Sequence, residues 1–226
     1  MAIVIFEDKA LVDGTALYTS KDVYRAGNTA SMVFDPISKL YRLSHINDDN
    51  ELFLINGVSM VGVNFAIGLD FSFTNIGTGN AQIGVTIRHN GLARPNEKGY
   101  TVRAMIIQLG IPPNYTPNLD ITRENGGIAE DLVIQSPITY VLGRWYTLRA
   151  FVYTDGLIKG VLYDRDTTLV KSTVSIASAI YPMSLAYDEV GIHFAYDSTA
   201  TATIRNILLT SGWIAPTVTT GGATVS

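Results

Sequence analysis

Apolar and polar residues alternate with a period of two along most of this chain, which is the pattern of β-strands with one buried face. The alternating segments are separated by Gly, Pro, Asn and Asp residues, which favour turns. They span residues 30–36, 39–45, 51–57, 64–73, 81–89, 100–109 and 130–135, then 168–176, 190–196 and 201–209. Only residues 175–185 are compatible with a helical turn. About ten or more strands without helices predict an all-β fold, a two-sheet antiparallel β-sandwich.

Two segments depart from this pattern. Residues 110–127 contain three prolines, and we expect them to form an irregular loop over one sheet. No repeat or linker divides the rest of the chain, so we predict one sandwich domain over residues 1–213. The Thr- and Gly-rich residues 214–226 form a C-terminal extension, which we expect a partner chain to order through added-strand contacts.

The segment GRWYTLRAFVYTDGLIKGVLYDRDTTLVKS, residues 143–172, has the pattern of two strands joined by a tight turn. Asp155 and Gly156 predict a two-residue hairpin turn, because both central positions of such a turn need a positive φ. The resulting register brings three pairs of residues opposite one another: Tyr153 with Ile158, Phe151 with Gly160, and Arg149 with Leu162.

The two faces of this hairpin differ in polarity. The apolar face, which we predict to be core, carries Tyr146, Leu148, Ala150 and Val152 against Val161 and Tyr163. The half-polar face carries Thr147, Arg149, Phe151 and Tyr153 against Gly160 and Asp164. On this face, Gly160 leaves either a shallow hollow beside Phe151 or room for the ring itself. Arg149 and Asp164 are diagonal neighbours, close enough to form an ion pair.

The order of these strands resembles the concanavalin A-like jelly roll, in particular its laminin G-like branch. There a Gly-x-Trp-Tyr-x-Leu strand leads through a hairpin into Ile-x-Gly-x-Leu-x-Asp, as in residues 143–148 and 158–164 here. The opening IVIFEDKALVDGT (3–15) and the ending VGIHFAY (190–196) with TATIRNILLTSGW (201–213) are similar to the family's two ends. Its members include lectins, glycoside hydrolases, polysaccharide lyases and structural virion or adhesion modules. The shared motifs are packing motifs, so the resemblance implies the fold and leaves the activity open.

The charge balance argues against nucleic acid as a partner. Sixteen Lys and Arg residues against twenty Asp and Glu give a net charge of −4, without a long run of either sign. Binding phosphates requires clustered positive charge, which this chain lacks. Charged residues make up 16% of the chain, below the roughly 25% of typical soluble domains. This low value indicates either a large core or a neutral surface covered by other subunits.

Cysteine and targeting signals are both missing from the sequence. Without cysteine, no disulfide framework and no thiol nucleophile are available. The longest apolar stretch, residues 60–69, is interrupted by Asn64 and too short to span a bilayer, so we expect no membrane insertion. The N-terminus lacks the basic segment of a signal peptide and brings acids at Glu7 and Asp8. We therefore expect synthesis in a host cytoplasm, with any release occurring inside a larger particle.

The spacing of acidic residues disfavours glycosidase chemistry. A retaining glycosidase needs two carboxylates about 5–5.5 Å apart, which alternate positions on one strand provide. Glu130–Asp131 and Asp188–Glu189 are adjacent and so point to opposite faces. A polysaccharide lyase needs a Tyr or His base beside an Arg and an amide. The nearest set, for which a structural face is the favoured interpretation, is Arg88, His89, Arg103 and Gln108.

Metal and cofactor sites are also disfavoured. The three histidines, His45, His89 and His193, lie singly on different strands, so no zinc site is expected. Residues 46–51 carry clustered oxygen ligands suited to calcium, but they lack the spacing of a dedicated loop, and a solvated turn is favoured. No phosphate loop, dinucleotide fingerprint or nucleophile elbow occurs, so no cofactor is expected and the chain is predicted not to be an enzyme.

A binding surface remains, and we predict it on the half-polar hairpin face. Its candidate residues are Arg149, Phe151 and Tyr153, joined by Thr86, Arg88 and Arg103 from strands expected beside them. Aromatic rings beside polar groups suit a surface glycan, and the same residue types are enriched where proteins meet. The leading hypothesis is a bacteriophage structural protein, a capsid decoration or auxiliary subunit or a tail component, located in the virion and contacting other virion proteins or its own copies. The alternative is a carbohydrate-binding module or adhesin, and the third possibility is a lyase or hydrolase.

Overall fold

The computed structural model describes residues 2–22, 31–44, 49–75, 80–93, 95–107, 117–126, 128–177, 179–182, 184–196 and 201–211. The predicted C-terminal extension, 214–226, lies outside these residues, as do Gln108 and His45. In the calcium candidate 46–51, the side chains are likewise outside the description. No helix within the described ranges has the length and apolarity needed to cross a membrane.

The described part of the chain forms fifteen β-strands and one 3-10 turn, Thr15–Leu17. The strands are β1 Ile3–Asp8, β2 Tyr18–Asp22, β3 Ser31–Asp35, β4 Leu40–Ser44, β5 Asp49–Ile55, β6 Phe65–Asn75, β7 Asn80–His89, β8 Lys98–Ile107, β9 Asn118–Asn125, β10 Ala129–Gln135, β11 Tyr146–Val152, β12 Ile158–Asp164, β13 Val170–Ile176, β14 Glu189–Tyr196 and β15 Thr201–Ser211. Each predicted alternating segment coincides with one of these strands to within a few residues.

These strands make two antiparallel sheets. The eight-stranded sheet A has the order β13-β12-β11-β6-β15-β4-β3, with β1 paired to the second half of β15. The seven-stranded sheet B has the order β10-β9-β8-β7-β14-β5-β2. Neighbours in space are often distant in sequence, as with β6 between β11 and β15. The arrangement confirms the predicted all-β, two-sheet antiparallel sandwich.

The core fills the space between the sheets and is rich in aromatic rings. On β6, the inward side chains Phe65, Ile67, Leu69, Phe71 and Phe73 are all 2% exposed or less. The rings of Phe71 and Phe73 meet edge to face with centroids 5.3 Å apart. Such burial is the main favourable term in folding, and offset aromatic pairs add to it.

Strand β9 corrects the prediction of an irregular loop over residues 110–127. Asn118–Asn125 pairs with both β8 and β10 inside sheet B. Its period-two alternation places Leu119 and Ile121 in the core, while Asp120 and Thr122 face the other side. In the sequence this alternation is short. Prolines precede it and charged residues follow it, and both are typical of loops.

The hairpin register is offset by one residue from the predicted one. The connection is a three-residue loop rather than a two-residue turn: the Tyr153 N–H donates to the Leu157 carbonyl at 2.9 Å, and Gly156 has φ +100°. Phe151 therefore faces Lys159, and Gly160 faces Ala150. A one-residue slip moves every side chain of one strand to the opposite face.

The core face of β11 is nevertheless as predicted. Tyr146, Leu148, Ala150 and Val152 are buried between the sheets. On β12, the core residues are Ile158, Gly160 and Leu162 instead of Val161 and Tyr163. Gly160 therefore leaves no hollow beside Phe151; a Cβ at this position would lie 2.4 Å from Val102 Cγ1 of the facing sheet.

Candidate functional site

A groove of about 740 Å³ lies on the outer face of sheet A. Strand β6 forms its floor, β11 and β12 form one wall, and β15 with β1 and the residues just after it forms the other. The side chains that matter below are Glu7, Lys9, Ala66, Asp70, Thr147, Arg149, Phe151, Tyr163, Asp164, Arg165 and Asn206, together with Gly68. We call this site the sheet A groove. Its volume lies within the range of small-molecule and sugar sites.

Small residues create the floor of the sheet A groove. Alternation along β6 points Ile67 and Leu69 into the core, so Ala66 and Gly68 face outward. Gly68 lies opposite Arg149 in the register. A Cβ on Gly68 would lie 2.7 Å from the Leu148 carbonyl oxygen and 2.8 Å from Arg149 Cγ. The missing side chain thus lets Arg149 lie close to the floor.

Aromatic residues line part of the groove. Phe151, 3% exposed, forms a second apolar cluster with Ala66 and Val161, separate from the main core. Tyr163 packs against this cluster and remains half-buried. The exposed Arg149 guanidinium carbon lies 5.9 Å from the centroid of the Tyr163 ring. This distance is at the outer limit of a cation–π contact.

A polar network is centred on Asp70, which is 6% exposed and lies in the same cross-strand row as Thr147 and Tyr163. Its carboxylate accepts hydrogen bonds from Thr147 Oγ1 at 2.6 Å, Arg165 Nε at 2.5 Å and Asn206 Nδ2 at 2.7 Å. Three donors around one buried carboxylate fix the orientation of all four side chains.

A β-bulge in β15 makes this network possible. The pairing of β15 with β6 shifts between Arg205 and Leu208, and Asn206 has φ +52°. The extra residue re-aims the chain, so that Arg205 and Asn206 are both oriented toward the outer face. Asn tolerates the left-handed region better than most residues, which favours it at this position.

Arg205 lies beside the network, against an aromatic ring. Its guanidinium carbon is 4.1 Å from the centroid of the Trp145 ring, and its Nε is buried without a hydrogen-bond partner. Burial, followed by repulsion from Arg165, lowers the pKa of Arg205 below its usual value. The groove is thus flanked by a guanidinium that stacks on a ring.

Two ion pairs line the rim of the groove. Lys9 Nζ lies 3.2 Å from Glu7 Oε1, and Arg144 Nη2 lies 2.7 Å from Asp164 Oδ2. The predicted ion pair between Arg149 and Asp164 is therefore wrong. The register offset places Arg149 opposite Val161. The Asp164 carboxylate pairs with Arg144 instead.

The predicted surface residues separate into two groups. Arg149 and Phe151 line the sheet A groove, and Tyr153 packs against the same apolar cluster. Arg88 and Arg103 lie on β7 and β8 in sheet B, so the single surface proposed from the sequence is not formed. Strands β7 and β8 pair with β14 and β9, not with the hairpin.

Arg88 and Arg103 have structural partners instead. Arg88, 2% exposed, donates Nη2 to the Tyr153 carbonyl at 2.6 Å and Nη1 to the Tyr181 carbonyl at 3.1 Å. Arg103 donates to Asp120 at 2.8 Å and to Asp131 at 2.6 Å on the outer face of sheet B. Neither guanidinium is available to hold a substrate carboxylate, which the lyase hypothesis requires.

His193 and Asp120 occupy the same row of sheet B as Arg103, and both have shifted pKa values. Burial, with repulsion from Arg103 and His89, lowers the pKa of His193 to about 3. Burial raises the pKa of Asp120 to about 6, against the opposing effect of Arg103. No group of three His, Asp or Glu side chains in the described ranges has the arrangement of a metal site.

Asp70, Tyr163, Arg165 and Asn206 are groove residues that sequence reasoning missed. Asp70 had a local signal, since it is a lone carboxylate inside the apolar run FAIGLDFSF. Tyr163 was assigned to the core through the offset register. Asn206 had no local signal, because the bulge that turns it outward depends on pairing with β6.

No protein-family model matches the chain, and no curated protein matches it in sequence. Peanut lectin with a nine-residue peptide has a TM-score of 0.66 at 10% identity, covering 96% of this chain and 100% of the lectin chain. Lectin I from Ulex europaeus, in complex with the methyl glycoside of α-L-fucose, has a TM-score of 0.64 at 12% identity, covering 93% and 98%. The CBM2 module of the evolved Dit of Lactobacillus casei BL23 phage J-1 has a TM-score of 0.64 at 10% identity, covering 92% and 95%.

At these identities the similarities concern the fold. They confirm the concanavalin A-like jelly roll that the strand order resembles in sequence. The fold alone does not determine activity, so the function has to be argued from the groove.

Proposed function

We propose that this chain is a non-enzymatic, lectin-like carbohydrate-binding module that holds a glycan in the sheet A groove. The observation that carries the proposal is the groove itself: Phe151 and the half-buried ring of Tyr163 lie beside the Asp70 polar network on a lectin-like fold. Sugar sites combine an apolar surface for the faces of the ring with fixed polar groups for its hydroxyls.

The aromatic and the polar residues of the groove have separate tasks in this proposal. The ring of Tyr163 offers its exposed part to the apolar C–H face of a pyranose. Thr147 and Asn206 present polar atoms whose orientation is already set by their hydrogen bonds to Asp70. A pre-organised polar network binds at a lower entropic cost than mobile side chains.

The chemistry of Asp70 favours binding over catalysis. Its two oxygens are occupied by Thr147, Arg165 and Asn206, so the carboxylate positions other groups instead of transferring a proton to a substrate. We expect no release of reducing ends when the purified chain is incubated with polysaccharides that it binds. Sustained release of reducing ends would show that the chain is an enzyme.

A glycan array probed with the purified chain tests the proposal, followed by calorimetry on each glycan that binds. Tyr163→Ala is expected to weaken binding about two- to tenfold, since stacking on an aromatic ring contributes about 0.5–1.5 kcal/mol. Tyr163→Phe keeps the ring and serves as the matched control, with an affinity close to that of the unaltered chain. An array without any bound glycan, or equal binding by Tyr163→Ala, would contradict the proposal.

A second candidate function, a structural component of a bacteriophage virion, is favoured by one observation. The fold is similar to that of a carbohydrate-binding module in the evolved Dit of a Lactobacillus phage. The two functions are compatible, because a module that binds glycans can also be built into a particle. In this role the chain contacts other virion proteins or its own copies, and it resides in the virion.

Deletion of residues 214–226 tests the virion role in a particle that carries this chain. We expect the truncated chain to fold but to be lost from the particle, because the extension is proposed to join a neighbouring chain. Mass spectrometry of purified particles measures incorporation, and circular dichroism of the purified truncated chain checks the fold. Normal incorporation of the truncated chain would contradict a role of the extension in assembly.

A further inference from the structure

Most charged side chains of the sheet A groove form ion pairs, but one does not. The groove is lined by three cations, Lys9, Arg149 and Arg165, and by three carboxylates. Lys9 is paired with Glu7, and Arg165 with Asp70. The third carboxylate, Asp164, is held by Arg144 on the rim.

Arg149 is therefore left without a carboxylate among the described residues. Its guanidinium carbon lies 5.9 Å from the centroid of the Tyr163 ring, which is a long approach. An aromatic ring attracts a cation but does not cancel its charge. Arg149 is exposed, so its guanidinium keeps all five N–H donors accessible to a ligand.

Arg205, beside the groove, adds a further positive charge to that of the unpaired Arg149. It stacks on Trp145 at 4.1 Å, and its buried Nε has no hydrogen-bond partner. Asp70 is the acid nearest to it in the register, and that carboxylate already accepts from three donors. The acids of the groove are thus paired, while Arg149 lines the groove without a carboxylate partner and Arg205 flanks it against a ring.

The position of Arg149 places its charge inside the groove. It projects from β11 directly opposite Gly68, the floor residue without a side chain. Phe151 lies on one side of it along the same strand, and Thr147 of the polar network, with Tyr163 opposite it on β12, lies on the other. A sugar resting in the groove therefore brings its substituents within reach of a planar guanidinium, which matches carboxylate and phosphate geometry.

We infer that the groove selects glycans that carry an anionic substituent, and that Arg149 binds this substituent through paired hydrogen bonds. The inference rests on the proposed carbohydrate-binding function and specifies the class of glycan. The shared chemistry is an anionic oxygen group, which a uronic acid supplies as a carboxylate and a phosphorylated sugar supplies as a phosphate.

Two matched pairs of probes distinguish these sources. The first pair is an oligogalacturonate and its methyl ester, and the second is a mannose 6-phosphate oligosaccharide and its dephosphorylated form. We expect the acid member of at least one pair to bind about tenfold more tightly than its neutral counterpart, because bidentate charge-assisted hydrogen bonds are roughly twice as strong as neutral ones. The pair that shows the preference identifies the anion.

Substitution of Arg149 connects the preference to this residue. Arg149→Gln is expected to reduce the ratio of acid to neutral affinity to about one, while Arg149→Lys keeps part of it. Arg42→Gln is the matched control, since Arg42 is an exposed arginine elsewhere on sheet A, paired with Asp35. Its affinity ratio should equal that of the unaltered chain.

The outcomes separate this inference from the proposed function. Glycan binding with equal or higher affinity for the neutral probes overturns the anion preference and leaves the carbohydrate-binding function intact. A retained acid preference in Arg149→Gln assigns the anion to other residues and overturns the role of Arg149. An array without any bound glycan overturns both proposals.

Discussion

Asp70 and Arg165, 95 positions apart in sequence, are joined by a hydrogen-bonded ion pair of 2.5 Å between Oδ2 and Nε. Strand β11 runs between the strands that carry or precede them, β6 and β12. The pair therefore spans β11 on the outer face of sheet A, above Thr147, which donates to the same carboxylate. With Asn206 of β15 as a third donor, one carboxylate on β6 thereby connects four neighbouring strands beneath the groove.

Asp70→Ala is expected to destabilise the protein by about 1–3 kcal/mol, because Thr147, Arg165 and Asn206 lose their common acceptor. Urea unfolding followed by fluorescence gives the free energy of unfolding of the variant and of the unaltered chain. Arg42→Ala, which removes the exposed partner of the ion pair with Asp35, is the control and should cost below about 1 kcal/mol. Equal effects of the two substitutions would show that the Asp70 network is not structural.

We expect substitution of Arg88 to affect stability and substitution of Arg149 to affect glycan affinity. Arg88→Met should lower the free energy of unfolding by about 1–3 kcal/mol, because the Tyr153 and Tyr181 carbonyls lose their donor. Its glycan affinity should be unchanged. Arg149→Gln should change affinity and leave stability within about 0.5 kcal/mol, as expected for an exposed side chain. Urea unfolding and calorimetry on both variants measure the two quantities, and loss of affinity in folded Arg88→Met would contradict this division.

Gly160→Ala is expected to destabilise the sandwich by about 1–3 kcal/mol through overpacking between the sheets. The added Cβ would lie 2.4 Å from Val102 Cγ1 and 2.9 Å from Val174 Cγ2. In the double variant Gly160→Ala with Val102→Ala, the shorter side chain at position 102 leaves room for the added Cβ. We therefore expect the double variant to lose less free energy of unfolding than the two single variants lose together. Strict additivity in thermal or urea unfolding would show that the two positions do not collide.

His193 makes the stability of the fold depend on pH. Its pKa is lowered to about 3 by burial, then by Arg103 and His89, against about 6.5 for an unfolded histidine. Between these values the unfolded chain binds a proton that the folded chain does not, so the contribution of His193 to stability is complete above pH 6.5 and is lost as the pH falls.

Asp120 acts in the opposite direction, so the effect of His193 has to be measured as a difference. Burial raises the pKa of Asp120 to about 6, and its contribution to stability increases as the pH falls from about 6 to 4. His193→Leu removes only the histidine term. The stability of this variant relative to the unaltered chain should rise by about 1–2 kcal/mol between pH 7 and pH 5. A difference that is independent of pH would show that His193 titrates normally.

The strand content was predictable because it is a local property. Period-two alternation located most strands, including β6 and β14, to within a few residues, and it placed Tyr146, Leu148, Ala150 and Val152 in the core. The miss of β9 shows the limit of that signal. There, the alternation of Leu119 and Ile121 with Asp120 and Thr122 is short and directly follows a proline-rich segment, so the segment was interpreted as a loop.

The groove was predictable only in part. Arg149 and Phe151 were predicted correctly because they are two positions apart on one strand, and alternate residues of a strand lie on the same face. Tyr163 was lost through a one-residue offset at Gly156, where a three-residue loop replaced the predicted two-residue turn. The prediction that Arg88 and Arg103 share a surface with the hairpin was wrong, because the order of strands along the sequence does not show which sheet each strand joins.

By itself the sequence determined an all-β chain, two sheets, and the core face of β11, because alternation and turn residues act over a few positions. The tertiary structure alone decided that β6 lies between β11 and β15, that Asp70 meets Arg165 and Asn206, and that Arg149 lacks a carboxylate in the part of the chain described. Strand order and register depend on contacts between residues far apart in sequence, and a single inserted residue reverses which face a side chain occupies.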